Sequence, residues 1–130
     1  MYPFRPKSTA HLKAGQYWAF EIENGIYVCG VVAALQSNNG KINRRAFIAG
    51  LLDWSGNHIP YPQEIEGKPI KRFGSAHIKA ITENGGEIRG EIWPSWGFEN
   101  VVEKTDAISS WGYGVIRVYG EKHFGNRRIS

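Results

Sequence analysis

Residues 16–35 read QYWAFEIENGIYVCGVVAAL: two apolar, β-branched and aromatic runs joined by Asn24-Gly25. An Asn-Gly pair tolerates the positive φ angles of a two-residue type I′ turn, and alternating runs on either side make it the strongest short hairpin signal a sequence offers. Such a turn sets the register. Glu23 faces Ile26, Ile22 faces Tyr27, Phe20 faces Cys29 and Trp18 faces Val31. Residues opposite each other share a side of the sheet. Trp18, Phe20, Ile22, Tyr27, Cys29 and Val31 therefore form a predicted core face. The second face carries Tyr17, Ala19, Glu21, Glu23, Ile26, Val28, Gly30 and Val32 and is too apolar to be wholly wet. A sheet covered on both sides points to a sandwich or a barrel. Gly30, opposite the small Ala19, marks a bulge or a bend.

Working outward, residues 36–43 (QSNNGKIN) read as a turn-rich loop, and residues 44–54 (RRAFIAGLLDW) as a buried strand with Gly50 as a bend. Residues 55–75 hold Pro60, Pro62, Gly67, Pro69 and Gly74 and predict a long irregular connection, a kind of loop that is often functional. Residues 76–82 (AHIKAIT) fit both strand and helix spacing. The Glu83–Gly86 turn signal and the alternation over 87–93 favour a strand and a second hairpin. A helical turn is expected near Asp106–Ser110, and residues 115–121 (VIRVYGE) as the last strand. The predicted fold is mainly β: one domain over residues 15–124, a small antiparallel, partly open barrel or sandwich with long loops and at most one or two short helices. An irregular arm (1–14) precedes it, and a basic tail (125–130) lies beyond it.

Composition narrows the setting. A chain of 130 residues is long enough for one real core, and its five tryptophans argue against disorder. The single cysteine, Cys29, cannot form an internal disulfide and reads as a buried small hydrophobe. Residues 1–15 lack the apolar core of a secretory signal, and no run approaches the length of a membrane span. The expectation is a cytoplasmic protein without a membrane partner. Net charge is +4, with basic groups at Arg5, Lys7 and Lys13; Lys41, Arg44 and Arg45; Lys68, Lys71 and Arg72; and Lys122, Arg127 and Arg128. Each group reads first as a solvated loop or terminus, and together they suit an acidic protein or a polyanion.

Chemistry-bearing motifs are sparse. His11, His58, His77 and His123 share no ligand spacing with one another or with Cys29, so no metal is expected. No glycine-rich phosphate loop opens a helix, and no cofactor is implied. Asp53, Ser55 and His58 supply an acid, a hydroxyl and an imidazole within six residues; that set could serve a hydrolase, but it is also ordinary turn chemistry. The expectation is no catalytic residue. The aromatic-rich loops carry more: Trp, Tyr and Arg anchor protein interfaces, although many tryptophans plug barrel ends. Trp54, Tyr61, Arg72, Trp96 and Phe98 are the predicted partner contacts. Trp93-Pro94-Ser95-Trp96-Gly97 reads as a rigid corner whose rings turn inward.

The runs Lys13–Phe20 (KAGQYWAF) and Asn24–Val32 (NGIYVCGVV) resemble the opening of the polymorphic-toxin immunity family numbered twenty-six. The Phe47–Leu52 strand and the Gly85–Gly90 hairpin are compatible with it in order and spacing. The shared positions are Gly15 and Gly30, both structural, while Gln16 stands where the family pattern has an acid. The resemblance implies a bacterial cytoplasmic protein that binds and neutralises a cognate toxin domain by occlusion, without enzymatic activity. With a basic chain, it implies either an acidic or neutral toxin surface or a local acidic face from Glu64, Glu66, Glu99, Glu103 and Asp106. The alternative is a nucleic-acid-binding small β-barrel whose basic loops track phosphates and whose aromatics stack on bases. A hydrolase built on Asp53, Ser55 and His58 is the third reading.

Overall fold

The computed structural model describes residues 2–98, 100–103 and 108–125. The Asn24-Gly25 hairpin forms between β1 (Gln16–Glu23) and β2 (Ile26–Asn38), with φ of 50° at Asn24 and 77° at Gly25. Glu23 pairs with Ile26 as expected, but a bulge at Ile22 then slips the register by one. Glu21 pairs with Tyr27, Phe20 with Val28, Trp18 with Gly30 and Tyr17 with Val31. Because side chains alternate along a strand, a slip of one residue turns the whole partner strand over. The expected grouping of Cys29 and Val31 with Trp18 is therefore wrong. Trp18 and Phe20 share their core with Val28 and Val32, while Cys29 and Val31 lie on the opposite side with Tyr17. Gly30 lies under Trp18 rather than opposite Ala19, and a Cβ there would stand 2.5 Å from the indole.

The expected loop at 36–43 is a second hairpin. β2 runs on to Asn38, Asn39-Gly40 turns with φ of 54° and 81°, and β3 (Lys41–Gly56) returns. Within β3 a bulge near Asn43 leaves backbone N–H groups without ladder partners. The Asn43 side-chain oxygen accepts from the N–H of both Arg45 and Ala46 at 2.9 Å, which satisfies them. The predicted irregular connection at 55–75 instead contains the short helix α1 (Pro62–Ile65) and most of β4 (Ile70–His77). The predicted strand at 76–82 turns into α2 (Lys79–Thr82) after His77. Glu83–Gly86 closes no hairpin; β5 (Gly90–Glu91) pairs back to β1.

Strand order is β5-β1-β2-β3-β4-β7, with β6 (Val101–Glu103) on β2 and β7 (Ser110–Trp111) on β4. The long pairings are antiparallel and the two short additions parallel, giving one mixed, mainly β sheet that does not close. The predicted last strand is helix α3 (Val115–Gly120), continued by wider π-type turns over Glu121–Gly125. Its buried residues Ile116 and Gly120 are four apart, the spacing of one helical face, and that face lies on the sheet. The helical turn expected near Asp106 and the basic tail from residue 126 lie outside the described residues.

Both faces of the sheet are buried. On one, α2, α3 and Phe124 cover Trp18, Phe20, Phe47 and Leu51. On the other, Ile65 of α1, Ile92 and Trp96 cover Tyr17, Cys29, Val31 and Leu52. The N-terminal arm carries one 3₁₀ turn (Thr9–His11) and is tied down. Phe4 exchanges backbone hydrogen bonds with Ile88, and the Thr9 hydroxyl donates to the Asn43 carbonyl at 2.6 Å.

Candidate functional site

Tyr61 and Trp93 are the most exposed aromatic side chains among the described residues, at 67% and 73%. Both are held at the backbone by carboxylates of one short element. Pro62 presets the first turn of α1, and the Glu64 carboxylate reaches back to accept from the Tyr61 N–H at 2.8 Å. Glu66, the residue that caps the C-terminal end of α1, accepts from the Trp93 N–H at 3.0 Å. The Tyr61 N–H, followed by His58, holds the Glu64 carboxyl below its ordinary value. Beside Trp93 an open groove of about 1080 Å³ runs past Leu35, Ile92, Pro94, Phe98 and Val101. Its polar rim includes the Lys13–Glu91 ion pair at 3.1 Å.

On the other side of Tyr61 a cleft of about 660 Å³ is lined by Tyr17, His58, Pro60, Pro62 and Arg89. The Arg89 Nε is buried with no hydrogen-bond partner among the described residues. Burial, with Cys29 nearby, pushes the Tyr17 hydroxyl pKa up despite the Arg89 charge. His58 sits 3.0 Å from Glu64 through Nε2 and 2.9 Å from the Asn57 side-chain oxygen through Nδ1. Asp53 lies 3.9 Å from Lys71 instead, so Asp53, Ser55 and His58 form no hydrogen-bonded chain among the described residues.

The five predicted contacts do not share one surface. Trp54 is half-buried, packs on the core beside Leu52, and stands over Gly56, where a Cβ would lie 2.6 Å from its ring. Trp96 turns inward, as expected for that corner, and donates from Nε1 to the Ala33 carbonyl at 2.9 Å. Trp93 of the same corner turns outward, against expectation. Phe98 is half-buried, edge-on to the exposed Phe73 at 4.9 Å. Tyr61 is exposed, and Arg72 lies across the sheet with α3, its guanidinium 4.6 Å over the Tyr119 ring. Phe73, Trp93, Tyr119 and His123 are residues that sequence reasoning passed over as contacts. For Trp93 a signal existed, since two residues separate it from Trp96 and a turn sends such rings apart.

The carboxylates expected to form an acidic face make local contacts where they are described. Glu64 and Glu66 cap α1 and Trp93, and Glu103 accepts from the Ser37 hydroxyl at 2.7 Å. Glu99 and Asp106 lie outside the described residues. Among the described residues no cluster of three or more His, Cys, Asp or Glu could hold a metal ion, and no helix is long and apolar enough to cross a membrane.

These features define a class of architecture: one open, mainly β sheet, wrapped on both faces by short helices and loops. No protein-family model matches the chain, and no curated protein and no solved structure matches it significantly.

Proposed function

We propose that this chain is a non-enzymatic binding protein of the toxin-immunity type, which neutralises a cognate bacterial toxin domain in the cytoplasm by covering its working surface. One observation carries the reading: the two most exposed aromatic rings, Tyr61 and Trp93, hang from backbone positions pinned by Glu64 and Glu66 around a single helix. Exposed aromatics on a pinned backbone lose little backbone entropy on docking, and such rings dominate interface energetics. The groove beside Trp93 offers an apolar floor with a charged rim, the anatomy of a protein contact.

The test is co-expression with the product of the neighbouring gene, which this reading expects to be a secreted modular toxin. The expected result is restored growth and a stable complex, with Trp93→Ala and Tyr61→Ala each weakening the complex at least tenfold, as truncation of an aromatic anchor does. Rescue that persists in the double variant would move the interface elsewhere. Absence of rescue and of complex would overturn the reading.

A further inference from the structure

On the face of the sheet opposite α1, side chains from β3, β4, α3 and the C-terminal turns converge. Arg72 lies over Tyr119, and its Nε donates to His123 Nε2 at 3.3 Å. Tyr119 is backed in turn by the buried ring of Trp111, 5.6 Å away. Trp111 sits over Gly74, where no Cβ could fit. The guanidinium is thus fixed in position by a stack reaching down to the sheet. Its two terminal nitrogens donate to no acceptor among the described residues, and the side chain is exposed. Among the described residues, Lys71 and Lys122 lie close enough to act electrostatically on the same imidazole, as does the carboxylate of Asp53, which stands 3.9 Å from Lys71.

We infer that Arg72, with Lys71 and Lys122 beside it, forms a second docking surface that takes an acidic segment of a protein partner, one carboxylate seating bidentately on the Arg72 fork. A planar guanidinium with both terminal nitrogens free matches a carboxylate, and pre-orientation reduces the entropy lost on binding. Nucleic acid fits less well. Base stacking needs an open aromatic face, yet Arg72 covers Tyr119, and Lys79 lies 5.2 Å over Tyr113, the next exposed ring on this side. A phosphate track needs continuous positive charge, yet Lys13 is paired with Glu91 and Arg89 with Glu87, and Arg117 is bonded to Asn84 and the Glu21 carbonyl. This surface lies across the sheet from Tyr61 and Trp93, so it does not depend on the function proposed for them.

The experiment titrates the full chain at low salt with a fluorescent hexaglutamate peptide and with a thymidine oligonucleotide of matched charge, following anisotropy. The proposal expects the peptide to bind more tightly than the oligonucleotide. It further expects Arg72→Gln to weaken peptide binding at least tenfold, and Lys122→Gln to weaken it several-fold. Arg72→Lys, which keeps the charge and loses the fork, should behave nearer to Arg72→Gln than to the unaltered chain. Near-ultraviolet circular dichroism confirms that each variant is folded. Equal peptide binding by Arg72→Gln would overturn the proposal. So would full binding by Arg72→Lys, or an oligonucleotide bound more tightly than the peptide.

Discussion

Gly30 shows how much one missing methyl can decide. A Cβ there would sit 2.5 Å from Trp18 and 2.9 Å from the Ile116 side chain, both fully buried, so neither neighbour has room to retreat. Gly30→Ala is expected to destabilise the fold by about 1–3 kcal/mol, the usual cost of overfilling a packed core. A lowered urea midpoint with an unchanged slope would show it; an unchanged midpoint would mean that Trp18 can move. The sequence marks Gly30 as special, but the reason it suggests, a bend opposite Ala19, is not the one that operates. The bulge at Ile22 has no composition of its own. The residue is an ordinary β-branched one, and the extra position comes from how the twisted strand meets its partner.

At the scale of elements, two histidines serve as hydrogen-bond acceptors, and that service sets a pH dependence. His77 Nδ1 accepts the Lys79 N–H at 3.1 Å where β4 turns into α2, and His123 Nε2 accepts from Arg72 where β4 meets the C-terminal turns. Burial, then Lys79 and Arg45, lowers the His77 pKa; burial, then Lys71, Arg72 and Lys122, lowers that of His123, with Asp53 opposing. Depressed folded-state values mean that the unfolded chain takes up these protons more readily. The stabilisation is therefore complete above about pH 6.5 and drains away as pH falls below it. Melting temperatures should drop between neutral and mildly acidic pH, and His77→Gln with His123→Gln should flatten that slope. A parallel slope in the double variant would refute the assignment.

A second decline should begin below about pH 4.3. Glu64 is held low by the Tyr61 N–H and His58, and in Glu91 burial is outweighed by the Tyr2 hydroxyl and Lys13. Both carboxyls stabilise the fold only while ionised. The helix α3 illustrates why such elements escape prediction. Val115, Ile116 and Val118 favour a strand by local preference, and a helix this short forms only because Ile116 and Gly120 find a surface to bury against.

Across the whole molecule, the mainly β class and the burial of both sheet faces were legible because they stem from apolar alternation, whereas the choice among sandwich, barrel and one open sheet depends on long-range strand order. The site was less so. Side chains from distant segments, such as Arg72, Tyr119 and His123, meet only through strand order, and the bulges in β1 and β3 redirect faces that a regular ladder would have fixed. Cys29 offers a global readout. It is fully buried on the α1 side, and desolvation raises its thiol far above the ordinary range. A thiol reagent should leave the native chain unlabelled and modify it along the same denaturant curve as the loss of circular dichroism. Labelling that runs ahead of that curve would reveal opening of the α1 side before global unfolding.

The tether of Tyr61 and Trp93 to opposite ends of α1 bears on how the chain tolerates a change of length. Each residue added to or removed from a helix rotates the rest of the chain by roughly 100° about the helix axis. A single-codon insertion in Pro62–Ile65 would therefore swing Trp93's anchor, Glu66, away from Tyr61's anchor, and it would also turn the fully buried Ile65 out of its seat on the sheet. The length of this one turn thus sets the spacing of the two rings and the packing beneath them together, so the pair is re-aimed only at the expense of the core.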